Sequence, residues 1–398
     1  MRTVPNGWKA LRIGDLCEVV RGASPRPAGD PRYFDGDYLP WITVGDVTGT
    51  YGMHLEFTKS KLTQEGSAHT RIIEPKTLII TNSGATLGVP KITRFRAGAN
   101  DGIAVFMNLK GISNEYLYFV LESRTDFFRN HLAPGVGQPN LNTDLLREEP
   151  VLVPPSDQQD KIVDTLMEWG AAIEKTEQLI AAKKRYFSGL VRKLIIDRAN
   201  SEASWKQEPI REIADRIQRQ TDGDSYPLLT ISSASGFVRQ EEKYSRYMAG
   251  ESAKTYTLLR AGEFAYNKGN SLRYEFGCIF QLQDYEAALV PSVYVSFRLH
   301  DSVCASYVRH LFAADYLKPQ LRALVKTGVR NNGLLNIRPD EFMGTTVPMP
   351  PLAEQERIST VLDAARLEIA LLTKQLVALR NQKRGLMQKL LTGRWRVI

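Results

Sequence analysis

Two stretches of this chain are versions of one another. PPSDQQDKIVDTLMEWGAAIEKTEQLIAAKKRYFSGLVRKLI begins at Pro154, PPLAEQERISTVLDAARLEIALLTKQLVALRNQKRGLMQKLLTG begins at Pro350, and the two run in register 196 positions apart without a gap. Gln159 pairs with Gln355, Ile162 with Ile358, Leu166 with Leu362, Ile173 with Ile369, Gly189 with Gly385 and Leu190 with Leu386. A repeat of this size constrains the fold more than any local pattern, because each copy has to build the same kind of unit. The regions upstream align more loosely. Trp8, Ile13 and Leu16 answer Trp205, Ile210 and Ile213; TLIITNSGA at Thr77 answers EFAYNKGNS at Glu263; NLN at Asn140 answers LLN at Leu334. The plan is a globular domain over 1–154, a helix over 155–198, a second globular domain over 199–350 and a second helix over 351–398.

Both helices carry a seam of alternating four- and three-residue steps, the a/d pattern of a coiled coil. In the first copy it runs Ile162, Leu166, Trp169, Ile173, Thr176, Ile180, Lys183, Phe187, Leu190, Leu194. The second copy has Ile358, Leu362, Ala365, Ile369, Leu372, Leu376, Leu379, Lys383, Leu386, Leu390. Each Pro-Pro pair disfavours helix before it and can start one after it. A helix over this span is on the order of 60 Å long, beyond what one globule usually buries, and two such seams most simply pack on each other. The globular halves read as mixed α and β, an α+β class. YLPWITVGDV, TLIITNS and IAVFMN are expected as strands, with a helix from Ser113 as N-cap; the second half repeats this with SYPLLTI, EFAYN, VYVSFRL and one helix from about Ser302 to Val325.

Chemistry-bearing motifs are missing where an enzyme would need them. The sequence has no phosphate-binding P-loop, and the five histidines make no i, i+3 or i+4 pair. Three cysteines, Cys17, Cys278 and Cys304, are an odd number without close spacing and read as reduced thiols. No catalytic residue and no metal site is assigned, and no cofactor is expected in this chain. The Val-Pro-Pro-Ser and Met-Pro-Pro-Leu runs lack both the polar residue and the aromatic of an adenine methyltransferase motif, so their prolines are read as helix starters. No apolar run reaches membrane-spanning length and no secretory signal opens the chain, from which a cytoplasmic location is expected.

Lysine and arginine outnumber aspartate and glutamate by 52 to 44, a balance that suits a polyanionic partner. The basic residues concentrate in loops that contain Gly, Pro or Asn. Arg21, Arg26 and Arg32 lie in RGASPRPAGDPRYF, and Lys91, Arg94 and Arg96 in VPKITRFRAG. The second half offers Arg239 and Lys243, then Lys268, Asn270 and Arg273 in NKGNSLRY, then Arg330 and Asn331 in KTGVRNNG. These side-chain types pair with phosphate oxygens and with purine edges, which makes them the expected DNA contacts.

The repeated Pro-Pro start, the long seam and the ending KRGLMQKLLTGRWRV together resemble the specificity subunit of Type I restriction-modification enzymes, and the resemblance covers the whole chain. It implies that each globular half is a target recognition domain for one half of a split site in double-stranded DNA. It also implies that the helices form an antiparallel coil relating the halves by a pseudo-twofold axis. Two modification subunits would bind that coil, restriction subunits would join the full complex, and S-adenosylmethionine would sit in the modification subunit. Two other classes are distinguishable. A fused methyltransferase would need the motifs that are missing, and a coiled-coil adaptor without DNA recognition would leave two large, dissimilar domains unexplained.

Overall fold

The computed structural model describes residues 4–84, 86–132, 140–243, 255–269, 271–325 and 334–397. The chain divides into two compact units, one made of Met1–Leu179 with Thr373–Ile398 and the other of Ile180–Leu372. The two long helices, Ser156–Val191 and Leu352–Leu391, therefore each contribute one part to each unit.

In the first unit, strands Lys9–Arg12 and Pro150–Val153 pair antiparallel and bring the start of the globular part to the start of the central helix. A five-stranded sheet follows in the spatial order Glu18–Arg21, Ile103–Met107, Leu78–Thr81, Pro90–Thr93, His54–Leu55. A four-stranded sheet is ordered Ser60–Leu62, Leu39–Ile42, Ala97–Ala99, Arg71–Ile73. Leu78–Thr81 is buried at every position, as a strand covered on both faces must be. Ser113 caps the helix Asn114–Phe127, its hydroxyl accepting from the Tyr116 N–H at 3.1 Å. The strand expected from Tyr38 to Val47 is shorter than its sequence suggested. YLPWITVGDV pairs only over Leu39–Ile42, because Thr43 and Asp46 form a capping box that turns Val44–Gly49 into a helix.

The second unit repeats the scheme. Lys206–Pro209 pairs with Thr346–Met349, and a four-stranded sheet is ordered Ala214–Ile217, Val295–Leu299, Phe264–Asn267, Cys278–Gln281. The helix expected from Ser302 to Val325 is two helices, Ala305–Ala313 and Lys318–Leu324. Asp315 lies between them at φ 56°, and Pro319, which has no N–H to give an ongoing helix, sits in the first turn of the second.

Within each unit the two helix parts run antiparallel and close the hydrophobic core of the globular part. Ile162 and Leu166 join Met387, Leu390 and Leu391 beneath the first sheet. Val191 joins Ile358 and Leu362 beneath the second. Every residue of both seams is buried or half-buried, whereas the residues between them are mostly exposed. The polar intrusions are paired: Lys183 with Glu368 at 2.7 Å and Lys383 with Glu122 at 3.3 Å.

Candidate nucleic-acid interface

The framework that carries the loops is built from the same contacts in both units. Trp8 donates through Nε1 to Gln158 at 2.9 Å, and Trp205 donates to Glu354 at 3.2 Å. Gln159 accepts from the Ser113 N–H and donates to the Gly111 and Pro154 carbonyls; Gln355 accepts from the Cys304 N–H and donates to the Pro350 carbonyl. The hydroxyls of Tyr116 and Tyr307 donate to the carbonyls of Leu152 and Pro348, both at 2.9 Å. These groups are buried, and a buried donor or acceptor left alone costs about 1–3 kcal/mol, so each repeat has kept one geometry that satisfies them. The sequence alignment of the loops is reproduced as well. Ser83 bridges Asn140 and the Leu141 N–H donates to Asn82, as Gly269 bridges Leu334 and the Leu335 N–H donates to Lys268.

On this framework the first unit gathers one basic surface. The loop after Arg21 is tied down by Ser24 and Asn100, and Asp101 accepts from Ser24 at 2.7 Å and from Arg26 at 2.9 Å. Arg21 donates through Nε to the Asp101 carbonyl, while Arg71 donates to the Arg21 carbonyl and Thr70 to that of Ala23. Tyr33 stacks at a tilt on His69, and Arg32 lies over the Tyr33 ring and pairs with Asp30. Hydrogen bonds from Arg32 hold the Asp30 carboxyl below its usual range. Arg21, Arg26 and Arg32 are thus joined by Arg71 and His69, which the sequence reading missed. Nothing in the linear spacing brings residue 71 to residue 21; only the pairing of Arg71–Ile73 with Ala97–Ala99 does so.

Arg94 and Arg96 stand exposed on another loop, each beside a glutamate, Glu56 at 3.7 Å and Glu74 at 3.2 Å. Lys91 differs from expectation. It is 4% exposed, its ammonium donates to the Gly52 carbonyl, and burial pulls its pKa down to about 8. Its strand is covered on both faces, so this lysine has no ammonium to offer a phosphate. In the second unit Arg239 is exposed and pairs with Glu241, and Arg273 is exposed and lies over the Tyr274 ring. Lys243 donates to the Ile231 carbonyl and Lys268 to that of Ile337, among other interactions. Asn270, Arg330 and Asn331 lie outside the described residues.

Of the seam residues assigned to the coil and subunit interface, Ile162, Leu166, Ile180, Ile358, Leu362, Leu376 and Leu390 are buried. Ile173, Phe187, Leu190, Leu194, Ile369, Leu372, Leu379 and Leu386 are half-buried. The chain itself covers this stripe. The apolar groups that remain exposed lie elsewhere on the helices: Met167, Leu179 and Tyr186 on the central one, and Val361, Leu367, Leu371 and Val377 on the C-terminal one. No group of metal-ligating side chains occurs among the described residues, and no described helix is long and apolar enough to cross a membrane.

Residues 5–183 match the family model described as the Type I restriction modification DNA specificity domain. The chain is 24% identical over 243 residues to the MjaIX specificity subunit, a Type I restriction enzyme component of Methanocaldococcus jannaschii; the match covers 60% of this chain and 55% of that one. It therefore spans about half the length of that relative. To the MjaVIII specificity subunit of the same organism it is 20% identical over 421 aligned positions, 99% of this chain and 94% of the other. The crystal structure of a Type I restriction-modification S subunit from M. genitalium shares the fold, with a TM-score of 0.56 at 13% identity over 98% of this chain and 97% of that one.

Proposed function

We propose that the chain is a specificity subunit of the Type I restriction-modification kind and that it reads a bipartite site in double-stranded DNA, one half-site per globular domain. The domains are those bounded at 1–154 and 199–350. The observation that carries this reading is the repeated framework bearing unlike loops. The contacts that seat each domain on its helices recur residue for residue, while the loops differ in length and in charge placement. Recognition of two unequal sequences needs that combination, a fixed mount and a free edge. Arg21, Arg26, Arg32, Arg94 and Arg96, joined by Arg71, supply phosphate and base contacts in the first half; Arg239, Lys243, Lys268, Asn270, Arg330 and Asn331 do so in the second.

The chain's part in the reaction is recognition, and methyl transfer from S-adenosylmethionine belongs to the modification subunits. Two of these subunits dock on the exposed apolar residues of the long helices, such as Leu367 and Leu371. Uncovered apolar area of this kind marks a surface made for association. Restriction subunits join that assembly.

A chain in which residues 199–350 are replaced by a second copy of 1–154 tests the proposal. Methylated adenines mapped in DNA from cells carrying it with its partners should show the first half-site twice. An unchanged site would remove the globular domains as readers. Affinity for the native site should also fall by roughly 10³ to 10⁵ between 50 and 200 mM salt if about six to ten phosphates are contacted.

A further inference from the structure

Each unit has a cleft between its globular part and the long helices, and the two clefts are opposite in charge. The smaller, of 380 Å³, lies in the first unit and is lined by Glu56, Glu122, Glu174 and Glu177 around Lys383. The larger, of 1090 Å³, lies in the second unit and is lined by Lys184, Arg192, Arg273, Arg309 and Arg366 against Asp197 and Asp284. The scaffold does not require this positive charge. Arg366 stands where the first copy has Gly170, 196 positions earlier, and Arg309 follows its helix N-cap at the place of Tyr118.

Two of the five cations are neutralised: Arg192 by Asp197 at 3.5 Å and Arg309 by Asp363 at 2.6 Å. Lys184, Arg273 and Arg366 form no ion pair among the described residues. Partial burial and the like charges of Arg309 and Arg273 hold the Arg366 guanidinium below its ordinary pKa, against the opposing charge of Asp363. The wall also contains polar groups that lack partners among the described residues, the Arg309 Nε–H and the Nδ1 of the buried His310. Phe187, Phe237 and Phe280 line the same cleft and are half-buried. Clustered guanidiniums repel one another, and an anion relieves that repulsion. The guanidinium fork fits phosphate oxygens, and exposed ring faces fit a nucleobase.

We propose that this cleft binds a nucleoside phosphate, with the phosphate on Arg273, Arg366 and Lys184 and the base against Phe187, Phe237 and Phe280. A pocket of this size, part aromatic and with a few convergent polar groups, is of the kind that holds small ligands, and a DNA duplex is too wide to enter it. The same chemistry could come from a free nucleotide or from a nucleotide of a DNA strand, and the free nucleotide is the occupant inferred here.

Calorimetric titration of the full chain with AMP, inorganic phosphate and a short DNA duplex tests it. AMP should saturate one site and bind more tightly than inorganic phosphate, and the duplex should not displace it. The double variant R273Q/R366Q should bind AMP on the order of tenfold or more weakly while keeping the parent's thermal unfolding midpoint, since a charge-assisted hydrogen bond is lost at each position. The proposal is overturned by the absence of saturable AMP binding, by equal affinity for AMP and phosphate, or by displacement by duplex. Unchanged AMP binding in a folded double variant overturns it as well.

Discussion

The two units hold the same framework and differ one layer further out, where helix Asn114–Phe127 and its counterpart Ala305–Ala313 meet the long helices. In the first unit Lys383 sits over the Phe119 ring at 5.4 Å and pairs with Glu122. At the equivalent place in the second, the positions are occupied by Phe187 and His310, with ring centroids 5.9 Å apart. The aromatic and the basic group have changed sides of the contact. His310 then needs a carboxylate and finds Asp363 at 2.8 Å, where the first copy has Met167. Ser306 and Arg309 join the same carboxylate, at 2.5 and 2.6 Å. A backbone group has one acceptable geometry and holds its partner fixed through divergence; a side-chain pair can be replaced by another pair of similar volume and complementary charge. The framework is therefore the constant part and the second layer the variable one.

The most damaging way to break that equivalence is to charge the shared core. Leu166 and Leu362 occupy the same repeat position and are both fully buried. Leu166→Asp and Leu362→Asp should each destabilise by about 3–5 kcal/mol, through an unpaired buried charge and a lost apolar contact. Limited proteolysis with mass spectrometry should show the first variant opening residues of 1–179 and the second those of 180–372. Loss of the same segments in both variants would mean the units do not hold separate cores.

A smaller effect is expected at the paired glutamines. Gln159→Ala leaves the Ser113 N–H and two carbonyls without their partner, and Gln355→Ala leaves the Cys304 N–H and one carbonyl. Each should cost about 1–3 kcal/mol, with Gln159 the more costly. Chemical denaturation read by a probe in each unit measures both, and a neutral result at either position would deny the glutamine its role as a mount.

The second layer should separate the units by pH. Burial lowers the His310 pKa from 6.5 despite Asp363, so protonation is more costly in the folded state than in the unfolded chain. The stability that depends on neutral His310 is complete above about pH 6.5 and is lost as pH falls through the lower folded value. Although burial opposes it, hydrogen bonds from Ser306 and His310 and the charge of Arg309 hold the Asp363 carboxyl below 3.8. Its contribution disappears at still lower pH. Amide protection of Ala305–Ala313, corrected for intrinsic exchange, should therefore fall between pH 7 and 5, and His310→Phe should flatten that slope. An equal slope in the variant would place the acid sensitivity on another group of the second unit.

The least consequential contrast is between the two half-exposed helix-to-helix ion pairs, Glu177 with Arg380 in the first unit and Lys183 with Glu368 in the second. Charge reversal of Arg380 or of Glu368 should change stability by about 0.2–1 kcal/mol and less at high salt. A larger loss in denaturant midpoint would mean that these pairs align the helices.

The sequence by itself determined the duplication, the helix starts, the buried seam from Ile162 to Leu390 and the Ser113 cap. These are carried by periodicity and by near neighbours in the chain, and a buried stripe writes its 3.5-residue period wherever it occurs. Trp8 with Trp205 and Gln159 with Gln355 were visible as pairs, although their hydrogen bonds were not. Tertiary structure alone decided which charges are available. Arg71 reaches Arg21 only through strand pairing, Lys91 is withdrawn because both faces of its sheet are covered, and Asp101 meets Arg26 across 75 residues of chain. The basic cleft likewise collects Lys184, Arg273, Arg309 and Arg366 from four separate parts of the sequence. A loop charge has no period to betray it, since its partner is set by how the chain closes in space.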